Sequence, residues 1–121
     1  MKVIKKGEAP EQDRSDAPIF FGGKVTGQSI VTPDDSKDFS FSIVSFAAGA
    51  RNKFHAHTSD QILFVTKGTG IVASESEEVT ISEGDTAFIP AGEKHWHGST
   101  PASDFSHVAL TVPGSTTEVF D

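Results

Sequence analysis

Apolar and polar residues alternate with a period of two along much of this chain, the pattern of half-buried β-strands. FSFSI (39–43) shows it most cleanly: Phe39, Phe41 and Ile43 share one face. Val44 and Phe46 then fall on the other face, which implies a bulge or a strand buried on both sides. IFFGGKVTGQSIV (19–31) is β-like but interrupted by Gly22, Gly23 and Gly27, as at bulges or turns. Strands are also predicted at GIVASE (70–75), EVTIS (78–82) and DFSHVALTV (104–112). TAFIPAGEKHWHGST (86–100) reads as strand, Pro–Gly turn, strand. TPDDSKD (32–38) and SEGD (82–85) are turns. Residues 1–18 are polar and hold Pro10 and Pro18; they predict a short strand at most, Val3–Ile4, and then a loop or arm. The tail GSTTEVFD predicts nothing definite. No window carries a capped amphipathic helix. Many short strands punctuated by glycine and proline predict an all-β sandwich or barrel. With no internal repeat and no linker, 1–121 is expected to form a single domain.

Composition narrows the partners. The chain is 36% hydrophobic and 22% charged, ordinary for a folded protein. Its net charge of −7 argues against nucleic acid or an anionic membrane as partner, because both repel an acidic protein. There is no cysteine, so disulfides, thiolate metal sites and cysteine nucleophiles are excluded. No apolar run approaches the roughly 18 residues of a membrane helix. MKVIKKGEAPEQDR has basic residues without the apolar core of a signal peptide, so a cytoplasmic location is expected.

The candidate chemistry lies in the histidines. All five fall between positions 55 and 107: His55, His57, His95, His97 and His107. His55 and His57 stand two apart in GARNKFHAHTSDQILFVTKG (49–68), with Gln61 four residues later. Neighbours i and i+2 of a strand face the same way, about 6–7 Å apart, so both imidazoles can reach one metal ion. After a tight turn, Gln61 can return on the next strand and face the same point. His95 and His97 repeat the His-x-His pattern behind a Gly–Pro–Gly frame.

These residues resemble the two motifs of the cupin family. Gly49, His55, His57 and Gly68 match the first at full spacing, with Gln61 where glutamate is usual. Gly84, Pro90, Gly92 and His95 match the second, with Ser99 where asparagine is usual. The motifs span 49–99, about half the chain. The resemblance implies a small jelly-roll barrel (a double-stranded β-helix) holding one divalent metal ion per chain. Its ligands would be His55, His57, His95 and, in the position of the usual carboxylate, Gln61. The ion implied is manganese, with iron, zinc, nickel or cobalt as alternatives. An amide oxygen cancels none of the metal charge, which would leave a stronger Lewis acid than a carboxylate does. Gln61, PAGEKHWHG (90–98) and the later His107 are similar to a subgroup of small bacterial cupins. That subgroup comprises the carboxymuconolactone-decarboxylase-associated cupins and manganese-dependent hydroxynitrile lyases.

On this reading His97 and His107 would move protons, as an imidazole titrating near neutrality can. Leu63 and Val65 share a face with Gln61 and predict an apolar pocket for a small organic substrate. Trp96 lies on the opposite face from the histidines and is assigned to packing. The expected function is lyase-type carbon–carbon cleavage or formation. An Fe(II) dioxygenase and a non-catalytic small-ligand-binding cupin are the alternatives. Phe20–Phe21 and the apolar edges predict a homodimer or homotetramer.

Overall fold

A computed structural model describes residues 1–120 of the protein. Twelve strands run in chain order: β1 Gln12–Asp13, β2 Phe20–Phe21, β3 Val25–Val31, β4 Ser40–Phe46, β5 Arg51–Asn52 and β6 His55–His57. They continue with β7 Gln61–Ser74, β8 Glu78–Ser82, β9 Thr86–Ile89, β10 His95–Ser99, β11 Phe105–Thr111 and β12 Thr117–Val119. The all-β expectation therefore holds, and no described helix is long and apolar enough to cross a membrane.

Strand β7 joins two curled antiparallel sheets. Its first half lies between β11 and β9, and that sheet continues through β4 and β3 to β1. Its second half lies between β10 and β8, and there β10 also pairs with β5 and β6. The crossing point is Gly68, at φ +73° inside the strand. A side chain there would collide with the Asp104 carbonyl, so only glycine lets the chain pass from one sheet to the other. Gly49, Gly84 and Gly92 also have positive φ, which agrees with the turn role expected of the motif glycines.

Register arranges the inner face of the first sheet in rungs. At the closed end Val25, Phe46 and Phe105 are buried together as the main core cluster. The next rung holds Val44, His107 and Val65. Then come Ser42, Ala109 and Leu63, and at the open end Ser40 with Thr111. A packed base with an open, partly hydroxyl-lined mouth follows from this order of side chains.

The structure corrects several expectations. Val3–Ile4 is not a strand; the N-terminal arm instead crosses the outer face of the first sheet, where Gln28 Nε2 donates to the Ala9 carbonyl (2.9 Å). GIVASE is not a separate strand but the second half of β7. The tail forms β12, paired with β6. β4 itself runs without a register break against β11, and the irregularities fall in β3 near Ile30 and in β7 at Thr66. Gly27 is an ordinary strand residue.

Candidate metal centre

Three imidazoles meet at the mouth because one strand pairing brings them there. β10 pairs antiparallel with β6, setting His95 directly opposite His55. His57 follows two residues on, facing the same way. The ring centroids are 4.2 Å apart for His55–His95, 5.0 Å for His55–His57 and 5.4 Å for His57–His95. Gln61 begins β7 after a three-residue turn, and its Oε1 lies 3.3 Å from His95 Nε2.

Hydrogen bonds fix which nitrogen carries the proton in two of these rings. His55 Nδ1 donates to the Lys53 carbonyl (2.7 Å) and His95 Nδ1 to the Glu93 carbonyl (2.8 Å). A carbonyl can only accept, so both rings carry their proton on Nδ1 and turn an unprotonated Nε2 inward. His57 Nδ1 is held by Thr117 Oγ1 at 3.0 Å, and its buried Nε2 has no hydrogen-bond partner. The Nε2 lone pairs of His55 and His95 therefore turn toward the amide oxygen of Gln61, with the buried His57 Nε2 beside them. That is an unfavourable arrangement for these residues alone and a fitting one for a cation, and fixing each imidazole through its other nitrogen is how metal-binding histidines are held.

His97 and His107 form a second cluster deeper in the barrel. His107 Nδ1 donates to the Val108 carbonyl (3.1 Å), leaving Nε2 to accept from His97 Nδ1 at 2.9 Å. Asn52, itself buried, accepts the His97 backbone N–H at 2.8 Å and sets its amide 3.2 Å from His97 Nε2. Phe46 and Phe105 pack against these rings from the closed end. The two clusters touch: one nitrogen from each of His55, His95 and His97 lies within 4.8 Å of the others. His97 thus stands closer to the mouth than a remote residue would, but both its ring nitrogens already face protein partners, whereas His57 Nε2 faces none.

All five imidazoles are pushed toward the neutral form, chiefly by burial. His55 falls to about 3 and His107 to about 4. His57 and His95 are lowered by burial, with His95 also repelling a charge on His57. His97 is lowered well below its usual range by burial and then by His107. Neutral imidazoles at physiological pH are the form that binds a metal or accepts a proton.

The structure brings every predicted site residue into this region, but two further side chains were missed. Asn52 sits in an unremarkable RNK stretch, and Thr117 lies in the unassigned tail, sixty positions from the His57 ring that it holds. Neither carries a local sequence signal. The apolar pocket is half right: Leu63 and Val65 are buried on the inner face, but the strands beside them add Ser40, Ser42 and Thr111. Ser99, in the usual asparagine position, ties β10 to the loop between β4 and β5 through the Ala47 carbonyl (2.6 Å). Trp96 packs beneath the Arg51 guanidinium at 3.5 Å, facing away from the histidines.

Comparison with known proteins agrees with this architecture. A family model described as "Cupin domain" matches residues 42–110. The (R)-mandelonitrile lyase of Granulicella tundricola is 35% identical over 92 residues, covering 75% of this chain and 70% of that protein. An uncharacterized protein of Methanocaldococcus jannaschii is 26% identical over 98 residues, covering 78% and 74%. Among solved structures, a cupin-like protein from Thermotoga maritima superposes with a TM-score of 0.81 at 25% identity, over 99% of this chain and 89% of that one. The polyketide cyclase RemF from Streptomyces resistomycificus also gives 0.81, at 16% identity, over 100% and 87%, and so shares the fold.

Proposed function

The chain belongs to the cupin family, and from that premise we propose that it is a divalent-metal-dependent lyase that cleaves or forms a carbon–carbon bond in a small cyanohydrin-like substrate. The observation that carries the reading is the junction of two clusters: converging unprotonated nitrogens at the mouth, and a hydrogen-bonded histidine pair directly behind them. His55, His57 and His95 would hold the ion through Nε2 and Gln61 through Oε1. When bound, a divalent ion supplies Lewis-acid polarisation of a substrate oxygen, and the four neutral ligands leave its charge uncancelled. Manganese is the ion we expect to support turnover.

The remaining work falls to the chain's own side chains. Cleaving a cyanohydrin removes the hydroxyl proton and closes that electron pair into a carbonyl. The carbon–carbon pair departs with cyanide, which takes up a proton. His97 and His107, held neutral by burial, would move the proton as a pair: His97 Nε2 would take it by exchanging its contact with the Asn52 amide and return it to cyanide, while His107 Nε2 accepts from His97 Nδ1. Asn52 fixes the orientation of His97. Leu63 and Val65 give the substrate an apolar wall, while Ser40, Ser42 and Thr111 offer hydroxyls to a polar substituent. The similarity to an (R)-mandelonitrile lyase supports the choice of reaction class.

The test is cyanohydrin cleavage by protein loaded in turn with manganese, iron and zinc, with and without oxygen. Turnover that persists without oxygen is expected. Strict dependence on oxygen with iron would replace the lyase by a dioxygenase.

A further inference from the structure

A groove on the outer face of the second sheet takes no part in the metal centre. Its aromatic walls are Phe21 of β2, which pairs with β5, Phe54 just before β6, and Phe120 just after β12. Arg51 and Lys53 line it as well, around a space of about 390 Å³. That is within the range of small-molecule sites. Lys94 closes one side, its Nζ 4.6 Å from the Phe120 ring centroid and 5.5 Å from that of Phe54. The groove and the metal centre share strands but face opposite ways. Arg51 precedes the buried Asn52, and the outward Trp96 stands between His95 and His97.

Arg51 is the polar group of this groove. Its guanidinium lies 3.5 Å from the Trp96 ring centroid and 5.1 Å from that of Phe21, and its Nε donates to the Asn52 carbonyl (3.1 Å). Three contacts therefore hold the side chain, and none of them uses the two Nη groups. Those groups have no hydrogen-bond partner among the described residues. A guanidinium held in this way offers a fork of N–H donors that matches the two oxygens of a carboxylate. Burial pushes it below the usual arginine range while Glu78 holds it up, so the charge has lost water and gains from an anion beside it.

We propose that this groove binds a small aromatic carboxylate, with its oxygens on the Arg51 fork and its ring among Phe21, Phe54 and Phe120. Phenylalanine rings favour an aromatic guest, packed edge-on or offset. Charge favours a monoanion over a phosphate dianion. The chain carries a net −7, Glu75 pairs with Lys94 at 3.6 Å, and Glu78 acts on Arg51, so a second negative charge on the ligand is repelled. The site does not depend on the lyase reading.

Benzoate is the probe. The only tryptophan of the chain lies against Arg51, so binding should change Trp96 fluorescence. Benzoate should bind about tenfold more tightly than acetate, benzyl alcohol or inorganic phosphate. Arg51→Lys keeps the charge but loses the fork, and should weaken benzoate about tenfold. Dialysis against a chelator should leave benzoate binding unchanged. Equal affinity for benzoate and phosphate, or for wild type and Arg51→Lys, overturns the proposal. Loss of binding with the metal would put the carboxylate on the ion and also overturns it. Chemical modification of the wild type gives an answer even if the variant fails to fold. Arg14 and Arg51 are the two arginines of the chain. Saturating benzoate should slow modification of Arg51 by butanedione, read by peptide mass mapping, and leave Arg14 unaffected. Equal rates at Arg51 with and without benzoate overturn the proposal.

Discussion

His55, His57 and His95 at the mouth and His97 with His107 behind them are the same side chain on neighbouring strands, yet they are wired differently. Each mouth imidazole is anchored through Nδ1 by a carbonyl or a hydroxyl and turns Nε2 inward. The inner two anchor each other, and His97 is further fixed by Asn52. The His-x-His spacing at 95–97 therefore joins one residue of each kind. Spacing places an imidazole on a face; the partner of its second nitrogen decides whether it can hold an ion or pass a proton.

The strongest way to break that distinction is to delete one residue from each side. His95→Ala should reduce bound divalent metal from about one per chain to near zero, read by elemental analysis after dialysis. His107→Ala should keep its metal and lose about 10²- to 10⁴-fold in lyase turnover, the usual contribution of a positioned acid–base group. If His95→Ala stays loaded, or His107→Ala empties the site, the two clusters do not have separate roles.

Thr117 sharpens the comparison from the tail. Thr117→Val removes the oxygen that holds His57 Nδ1 and should weaken metal binding about 10- to 100-fold, measured by competition with a chelating dye. Thr117→Ser keeps the hydroxyl and should restore affinity. An unchanged affinity in the valine variant would mean that β12 merely covers the barrel.

That residue also shows where the sequence stops being legible. The strands and the motif turns were readable, because period-two alternation and glycine spacing report directly on strand faces and turns; the meeting of His95 with His55, His57 and Gln61 came from the resemblance to the cupin motifs. Thr117 and Asn52 were not, because each acts through a partner more than forty positions away that only register brings close. The hydroxyls at Ser40, Ser42 and Thr111 were missed for a related reason. Their place on the inner face depends on which strand face the core takes, and FSFSI presents its phenylalanines outward. The eye follows the larger apolar residues inward, but here the core takes Val44 and Phe46, and the outward set builds an apolar surface patch.

The smallest effect concerns acid stability of the metal-free protein. His55 and His107 have folded-state values near 3 and 4 against an ordinary 6.5, so below pH 6.5 the unfolded chain binds protons that the folded chain refuses. Stability should be highest above pH 6.5 and fall as pH drops toward 4, by up to about 1.4 kcal/mol per pH unit for each such histidine. Denaturant titrations at a series of pH values give the slope. His107→Phe removes one of these groups and should flatten the decline by about that amount, since the inner cluster lies away from the mouth. Saturating metal acts on the other cluster: it favours the neutral form of the mouth imidazoles and should raise stability most at neutral pH, where they are free to bind. A slope that His107→Phe leaves unchanged would mean that the acid sensitivity belongs to the mouth alone.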